Sequence, residues 1–522
     1  MKLSEAQLVG DLPDIFNAAQ DLLAHNIENH PDKVAIIDER GSCTYAELMV
    51  RVQQMADAFH RLGVRRDQRV LLSLLDTRDF PTVFLGAIWA GIVPVPLNTL
   101  LTTDDYQWIL SNSGAVAVFV TSDLAEKWEP VAASEPHVHF VSSEGGPWTD
   151  LEALLAEATP QEEPADTHRD DVAFWLYTSG STGRPKGAMH LQGSMRLSAN
   201  LYGIGTVGFR RDDVVLSIAK QFFAYGLGNA LSFPFAAGAT VVHFRGRATP
   251  AEISDVMLRH QVSILGGVPT FFAGWLAHPD CPDRTALPAL RLALSAGEAL
   301  PPHLASAFKD RFGADVLDGL GSTEMLHIFV SQRPGEVRLG CTGRVIDGYQ
   351  VRLVDDEGRD VAPGDMGNLQ VSGPTTAIGY WRNREKSVQT FRGAWTVTGD
   401  NYVIDKDGWL TYAGRADDML KVGGIYVSPI EVEEALASHP DVLEAAVVGD
   451  VDADDLIKPR AYVVLHNGVE ATEDMRDALQ AYVKERLAPY KYPRWIDFVA
   501  DLPKTATGKI QRFRLRYGQA AA

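Results

Sequence analysis

Cysteine is scarce in this 522-residue chain: Cys43, Cys281 and Cys341 stand far apart and none belongs to a C-x-x-C pair. That spacing indicates neither a disulfide framework nor a zinc site, and it suits a reducing cytoplasm. Positive charge is short as well. With 48 lysines and arginines against 68 carboxylates, the formal net charge is -20, which argues against a nucleic-acid or anionic-membrane partner. Long apolar runs are missing: the longest, Val83 to Leu97, is broken by Gly86, Gly91, Pro94 and Pro96, so no membrane span is expected. Met1 to Asp11 has no basic-then-apolar signal pattern, and no internal repeat or low-complexity tract is evident.

What remains is ordinary globular material, 46% apolar and 22% charged, long enough for about three domain-sized units. Strand-like runs alternate with amphipathic stretches. Val34 to Ile37, Cys43 to Tyr45, Val70 to Leu75 and Val93 to Pro96 read as strands, with helices over Ala46 to Leu62 and Thr82 to Ala90. Glu144 to Arg169, rich in Pro, Glu and Ala, reads as a surface segment. Val214 to Ile218, Ala239 to Phe244, Ile264 to Val268 and Leu292 to Ser295 are further buried strands, so helices are expected to stack on mostly parallel sheets. From about Val345 the pattern changes to short strands punctuated by Asp-Gly turns, a small antiparallel, barrel-like unit. After Gly414 to Asp418 the alternation resumes, with helices near Ile430 to Ala437 and Asp474 to Leu487. These features give an α/β chain with an expected domain boundary at Arg415 to Asp418: a large domain over residues 1–415 and a smaller α+β domain over 416–522.

One stretch stands out. After the apolar run Val172 to Leu176 comes Tyr177-Thr178-Ser179-Gly180-Ser181-Thr182-Gly183-Arg184-Pro185-Lys186-Gly187. Glycines let backbone N–H groups approach phosphate oxygens, the hydroxyls add rotatable donors, and Arg184 and Lys186 offset negative charge. It is not a Walker A loop, since no Gly-Lys is followed by Ser or Thr at the required spacing. A glycine- and serine-rich segment alone is ordinarily a solvated turn; the order of this string points elsewhere. Thr178 to Gly187 resembles the signature of the adenylate-forming superfamily, which includes acyl- and aryl-CoA synthetases, luciferases and peptide-synthetase adenylation domains.

Further strings resemble that superfamily in order. Ser295-Ala296-Gly297-Glu298 resembles the segment lining the adenine. Asp318-Gly319-Leu320-Gly321-Ser322-Thr323-Glu324 resembles the motif in which Asp318 would meet the adenine amino group and Thr323 and Glu324 would meet phosphate and Mg²⁺. One carboxylate completed by substrate phosphates and water suits that cation. Leu320 replaces the aromatic that stacks on adenine in many relatives, so that contact does not carry over. Thr398-Gly399-Asp400 resembles the turn whose carboxylate accepts both ribose hydroxyls, with Arg415 as its companion. Pro503 to Lys509 resembles the C-terminal motif whose last lysine, Lys509, bridges the acid and the α-phosphate.

The resemblance implies two steps: a carboxylate attacks the α-phosphate of ATP, and a thiol then displaces AMP from the acyl-adenylate. Lys186, Lys509, Thr323, Glu324 and Lys421 would be the catalytic residues. Between the steps a mobile C-terminal domain would swing about Asp417, withdrawing Lys509 and presenting Lys421-Val422-Gly423-Gly424. Gly423 and Gly424 would let a pantetheine arm pass. Phe223-Ala224-Tyr225-Gly226 together with Gly319 to Phe329 resembles the benzoate-CoA ligase branch. Phe223, Tyr225, His327 and Ile328 would wall a flat aromatic slot, with Ala224 and Gly321 setting its depth. No acidic residue near Phe222 to Gly226 awaits an ammonium, which counts against an amino acid. The expectation is an aryl-CoA ligase using ATP, Mg²⁺ and coenzyme A on an aromatic carboxylic acid, benzoate favoured. A substituted benzoate or another small acid, a luciferase-like oxygenase and a non-catalytic nucleotide binder stay open, as does a homodimer.

Overall fold

Strand-forming runs of Val, Ile, Leu and Ala organise this protein around sheets buried on both faces. The computed structural model describes residues 12–178, 184–415, 418–422, 425–452, 457–487, 491–504 and 510–516. It divides into two units, Met1–Val351 with Val371–Val397, and Arg352–Gln370 with Thr398–Ala522.

In the first unit a nine-stranded sheet runs in the order Arg344–Val345, Ile328–Ser331, Asp315–Gly321, Leu292–Ala296, Ile264–Gly267, Val214–Ser217, Thr240–Val242, Val34–Asp38, Gly41–Thr44. Its interior pairs are parallel and its ends antiparallel. Parallel strands need cover on both faces, and their near-continuous apolar character supplies the matching surface. A second sheet, Val93–Pro96, Arg69–Ser73, Ala117–Thr121, His139–Ser143 and Thr149–Asp150, is parallel throughout.

Every residue of the helix Asp79–Trp89 is buried, as expected of a helix that is apolar nearly all round. Its one carboxylate survives burial because it is paired. Asp79 accepts hydrogen bonds from Arg40 at 2.7 Å, Arg51 at 3.0 Å and Ser143 at 2.6 Å. The neighbouring helix Tyr45–Arg61 starts at a capping box in which Thr44 and Glu47 exchange hydrogen bonds. The stretch 144–169 is more than a surface segment. It contains the helix Leu151–Glu157, whose Leu151 and Leu155, one turn apart, reach the core.

In the second unit the pairing of residues 398–404 with Leu410–Arg415 sets Asp400 opposite Arg415. A three-stranded sheet follows, Val442–Val451 antiparallel to Ile457–Leu465 and the latter parallel to Trp495–Phe498. The helices Pro429–Ala437 and Glu473–Arg486 bury Val432, Leu436, Leu479 and Val483 against it. Arg512 binds Glu433 through Nε at 3.0 Å and Nη2 at 2.7 Å, and the Val447 N–H donates to the same carboxylate at 2.7 Å. The mixed α/β class and the smaller α+β C-terminal body agree with the sequence reading. Among the described residues no helix is long and apolar enough to cross a membrane.

Candidate active site

Parallel strands place ligands at their carboxyl ends, and there the first unit gathers the expected residues. Leu292–Ala296 and Asp315–Gly321 lie side by side, with Ser295 opposite Asp318 and Ala296 opposite Gly319. Gly297 and Glu298 follow at the edge, the first exposed and the second half-buried. Asp318 is 6% exposed, and burial holds its carboxyl well above the usual range, opposed by the N–H groups of Gly319 and Leu300. Its Oδ1 and the Ser295 hydroxyl are both buried without a hydrogen-bond partner among the described residues. Two orphaned polar atoms on adjacent strand ends suit a ligand that can pair with them, as a purine can.

The segment after Asp315–Gly321 turns sharply. Thr323–Met325 is a single helical turn capped by the Ser322 hydroxyl, which accepts from the Met325 N–H at 3.3 Å. Leu326 then adopts φ 67°, a backbone region that leucine rarely enters. The reversal carries Glu324 to one side and sends His327 into the core. Gly321 is dictated by this turn, because a Cβ there would lie 2.6 Å from the His327 carbonyl oxygen. The glycine therefore answers to the backbone beside it, where spare pocket volume had been the expectation.

His327 sits in a cage of rings. Its centroid lies 4.5 Å from Phe233, 5.3 Å from Tyr202 and 5.5 Å from Tyr225. Nε2 donates to the Tyr225 carbonyl at 3.2 Å, leaving Nδ1 as an acceptor without a partner among the described residues. Burial pushes the imidazole down to about 3, so it is neutral. Tyr225 and Ala224 lie on the short helix Ala224–Leu227, which follows Phe223, and the Tyr225 hydroxyl is buried beside the Asn229 side chain. Ile328 opens the next strand and packs beneath Gly319. Tyr202 and Gly228 both belong to π-helical stretches, Ala199–Val207 and Gly228–Ser232, which the sequence periodicity did not reveal.

Lys186 begins the strand Lys186–Leu191 and pairs with Thr178 across the hairpin. Its ammonium lies over the Tyr380 ring, 4.7 Å from the centroid, and the Tyr380 hydroxyl donates to Glu324 Oε1 at 2.6 Å. Tyr380 was not anticipated. Ile378-Gly379-Tyr380-Trp381 reads as an apolar strand, and only the need of Glu324 for a donor marks the phenol. His190, further along the same strand, stacks on Phe174 at 5.2 Å, and burial lowers it to about 4.

In the second unit Arg415 Nη1 donates to Asp400 Oδ1 at 2.9 Å, and the Thr398 hydroxyl accepts from the Asp400 N–H at 3.1 Å. Lys421 lies on the strand Leu420–Val422. Ser179, Gly180, Ser181, Thr182, Gly183, Asp417, Gly423, Gly424 and Lys509 lie outside the described residues. No group of three or more His, Cys, Asp or Glu that could hold a metal occurs among the described residues, so a cation here would depend on Glu324 and ligand oxygens.

A doubly covered parallel sheet with these loops at its carboxyl edge defines a nucleotide-binding enzyme of the α/β class. The AMP-binding enzyme family matches residues 23–381, and the AMP-binding enzyme C-terminal domain matches residues 431–509. The chain belongs to the AMP-binding enzyme family. It is 51% identical to a benzoate–CoA ligase of Thauera aromatica over 97% of this chain and 96% of that protein. Among solved structures, a benzoate CoA ligase from Burkholderia xenovorans LB400 superposes with a TM-score of 0.90 at 46% identity, covering 96% of this chain and 100% of that one. The anthranilate CoA ligase AuaEII, in complex with anthranoyl-AMP, gives a TM-score of 0.92 at 39% identity over 99% of both chains.

Proposed function

We propose that this protein is a benzoate–CoA ligase: benzoate, ATP and CoA give benzoyl-CoA, AMP and diphosphate through benzoyl-adenylate. The observation that carries the reading is the 51% identity to a benzoate–CoA ligase across nearly the whole chain. The half-buried Tyr225, stacked 5.5 Å from the neutral His327, supplies an aromatic face that a flat, uncharged ring can meet.

In the first step a benzoate oxygen attacks the α-phosphorus in line, and diphosphate leaves with the electron pair of the broken P–O bond. Lys186 and Lys509 offset the charge spread over the transferring group, and residues 179–183 offer backbone N–H and hydroxyl donors to phosphate oxygens. Asp318 and Ser295 meet the adenine, Asp400 with Arg415 the ribose, and Thr323 the α-phosphate. Mg²⁺, when bound, supplies neutralisation of the polyphosphate, held by Glu324 and the nucleotide. In the second step the CoA sulfur attacks the acyl carbon, AMP leaves with the electron pair of the C–O bond, and the thiol proton passes to solvent. Residues 416–522 swing about Asp417 between the steps, exchanging Lys509 for the face bearing Lys421, Gly423 and Gly424. Three widely spaced cysteines, Cys43, Cys281 and Cys341, fit a cytoplasmic setting.

Diphosphate release with Mg-ATP across benzoate, hydroxy- and aminobenzoates, cinnamate, acetate and octanoate, with and without CoA, tests the reading. Fast release with benzoate, made catalytic by CoA, is expected; fast release only with an aliphatic acid would overturn the aromatic slot. A second reading, a ring-substituted benzoate as the preferred acid, is favoured by His327 Nδ1, an acceptor without a partner among the described residues. The same panel ranks the two.

A further inference from the structure

We infer that Tyr380 is a positioning residue for adenylation: its hydroxyl fixes the Glu324 carboxylate in the orientation that receives the nucleotide's divalent cation. The inference rests on the assignment of Glu324 proposed above.

Geometry ties Tyr380 to both charged partners at once. Its hydroxyl donates to Glu324 Oε1 at 2.6 Å, a short bond of the charge-assisted kind. The face of the same ring carries the Lys186 ammonium at 4.7 Å. The backbone is keyed on each side. Ala377 N–H donates to the Glu324 carbonyl at 2.8 Å, Met189 N–H to the Gly379 carbonyl at 3.0 Å, and Trp381 N–H to the Gly187 carbonyl at 2.8 Å, around a bridge between Ala188 and Tyr380. Residues 377–381 thus act as a strap joining the strand that begins at Lys186 to the turn that bears Glu324.

A phenol suits this place better than a second lysine. An ammonium bonded to Glu324 would cancel the charge a cation needs, whereas a neutral hydroxyl orients the carboxylate and leaves it anionic. The ring meets each partner with the matching polarity, its negative face to Lys186 and its hydroxyl proton to Glu324. With Oε1 engaged, Oε2 is the oxygen left for a metal. Ligating carboxylates are commonly held by such partners, whose loss costs about 10- to 100-fold in metal affinity or activity.

The test is Tyr380→Phe, which removes the hydroxyl and keeps the ring that packs at 5.3 Å on Phe391. Mn²⁺ binding to the full-length enzyme in the presence of ATP, followed by electron paramagnetic resonance, should weaken by about 10-fold. Metal-free ATP binding and melting temperature should not move. Glu324→Gln is the companion variant, and the double variant should bind Mn²⁺ no more weakly than Glu324→Gln alone. If Glu324→Gln weakens Mn²⁺ and Tyr380→Phe does not, the positioning role is refuted while the Glu324 assignment stands. If Glu324→Gln leaves Mn²⁺ unchanged, that assignment fails and the inference with it. Equal loss of ATP with and without metal would mean that the hydroxyl acts on the nucleotide, which also overturns the inference.

Discussion

Gly228→Ala probes the cage around His327 with a single methyl group. The new Cβ would lie 2.3 Å from His327 Cδ2, 2.4 Å from Nε2 and 2.8 Å from Phe233 Cζ. Carbon atoms pack at about 3.5–4.0 Å, so one of the two rings must move by more than about 1 Å. Neither has room. His327 is boxed in by Tyr202, Tyr225 and Phe233, and Phe233 itself packs on Phe209 at 5.8 Å. Overpacking of this kind costs about 1–3 kcal/mol. Losing the Nε2 bond to the Tyr225 carbonyl adds about 1 kcal/mol, and the better helix propensity of alanine returns a similar amount. A net loss of about 2 kcal/mol corresponds to a melting temperature lowered by about 2–3 °C for a unit of this size. Because the displaced His327 pulls on the Tyr225 backbone, KM for benzoate should rise about 10-fold, the equivalent of 1.4 kcal/mol, with KM for Mg-ATP unchanged. Thermal melting and diphosphate release measure the two effects. A variant with the wild-type melting temperature and benzoate KM would refute the cage as described.

Further outcomes are expected. His327 and His190 are depressed to about 3 and about 4, so below pH 6.5 the unfolded chain takes up protons that the folded chain refuses, and stability falls. Asp318, raised by burial, contributes with the opposite sign, so a comparison of variants isolates the histidine: His327→Phe should gain about 2 kcal/mol on wild type between pH 7 and pH 5 in urea unfolding. Parallel curves would show that His327 titrates normally. Lys509→Ala should lose adenylation by about 100-fold, yet still convert supplied benzoyl-AMP and CoA to benzoyl-CoA; equal loss of both steps would sink the two-conformation account. Arg512→Ala leaves the Glu433 carboxylate buried without its guanidinium and should cost about 3–5 kcal/mol, read from unfolding followed by Trp495 fluorescence. A loss below about 1 kcal/mol would mean that water reaches the pair.

Much of the architecture was legible because the strands are apolar and short. The helix expected over Ala46 to Leu62 forms as Tyr45–Arg61, and the strand expected over Leu292 to Ser295 forms as Leu292–Ala296. Boundaries slipped where tertiary pairing extends a run. One of the short strands expected after Val345, over Trp395 to Val397, continues to Ile404, since the facing strand Leu410–Arg415 completes its hydrogen bonds. Leu151–Glu157 was hidden because two leucines carry its only apolar face within a polar, proline-bearing stretch. In the site, the ordered strings gave Asp318, Glu324 and Lys186, whereas Tyr380 depends on a contact across 56 residues that no local pattern encodes. The reason for Gly321 was equally invisible, because it lies in a backbone that returns beside it six residues later as His327.

The neutrality of His327 gives the ring cage a direction. A histidine at the end of a slot would ordinarily be a place for an anion to settle, but this one stays uncharged throughout the physiological range. In the proposed reading, Lys186 and Lys509 stand at the phosphate side, so a monocarboxylate is drawn in with its ring leading and its carboxylate trailing. An acid carrying a second carboxylate on the far side of the ring would have to strand that charge against the Tyr225 ring and a neutral imidazole. In that reading a dicarboxylate is disfavoured at entry by the cost of desolvating its second charge, before any chemistry begins.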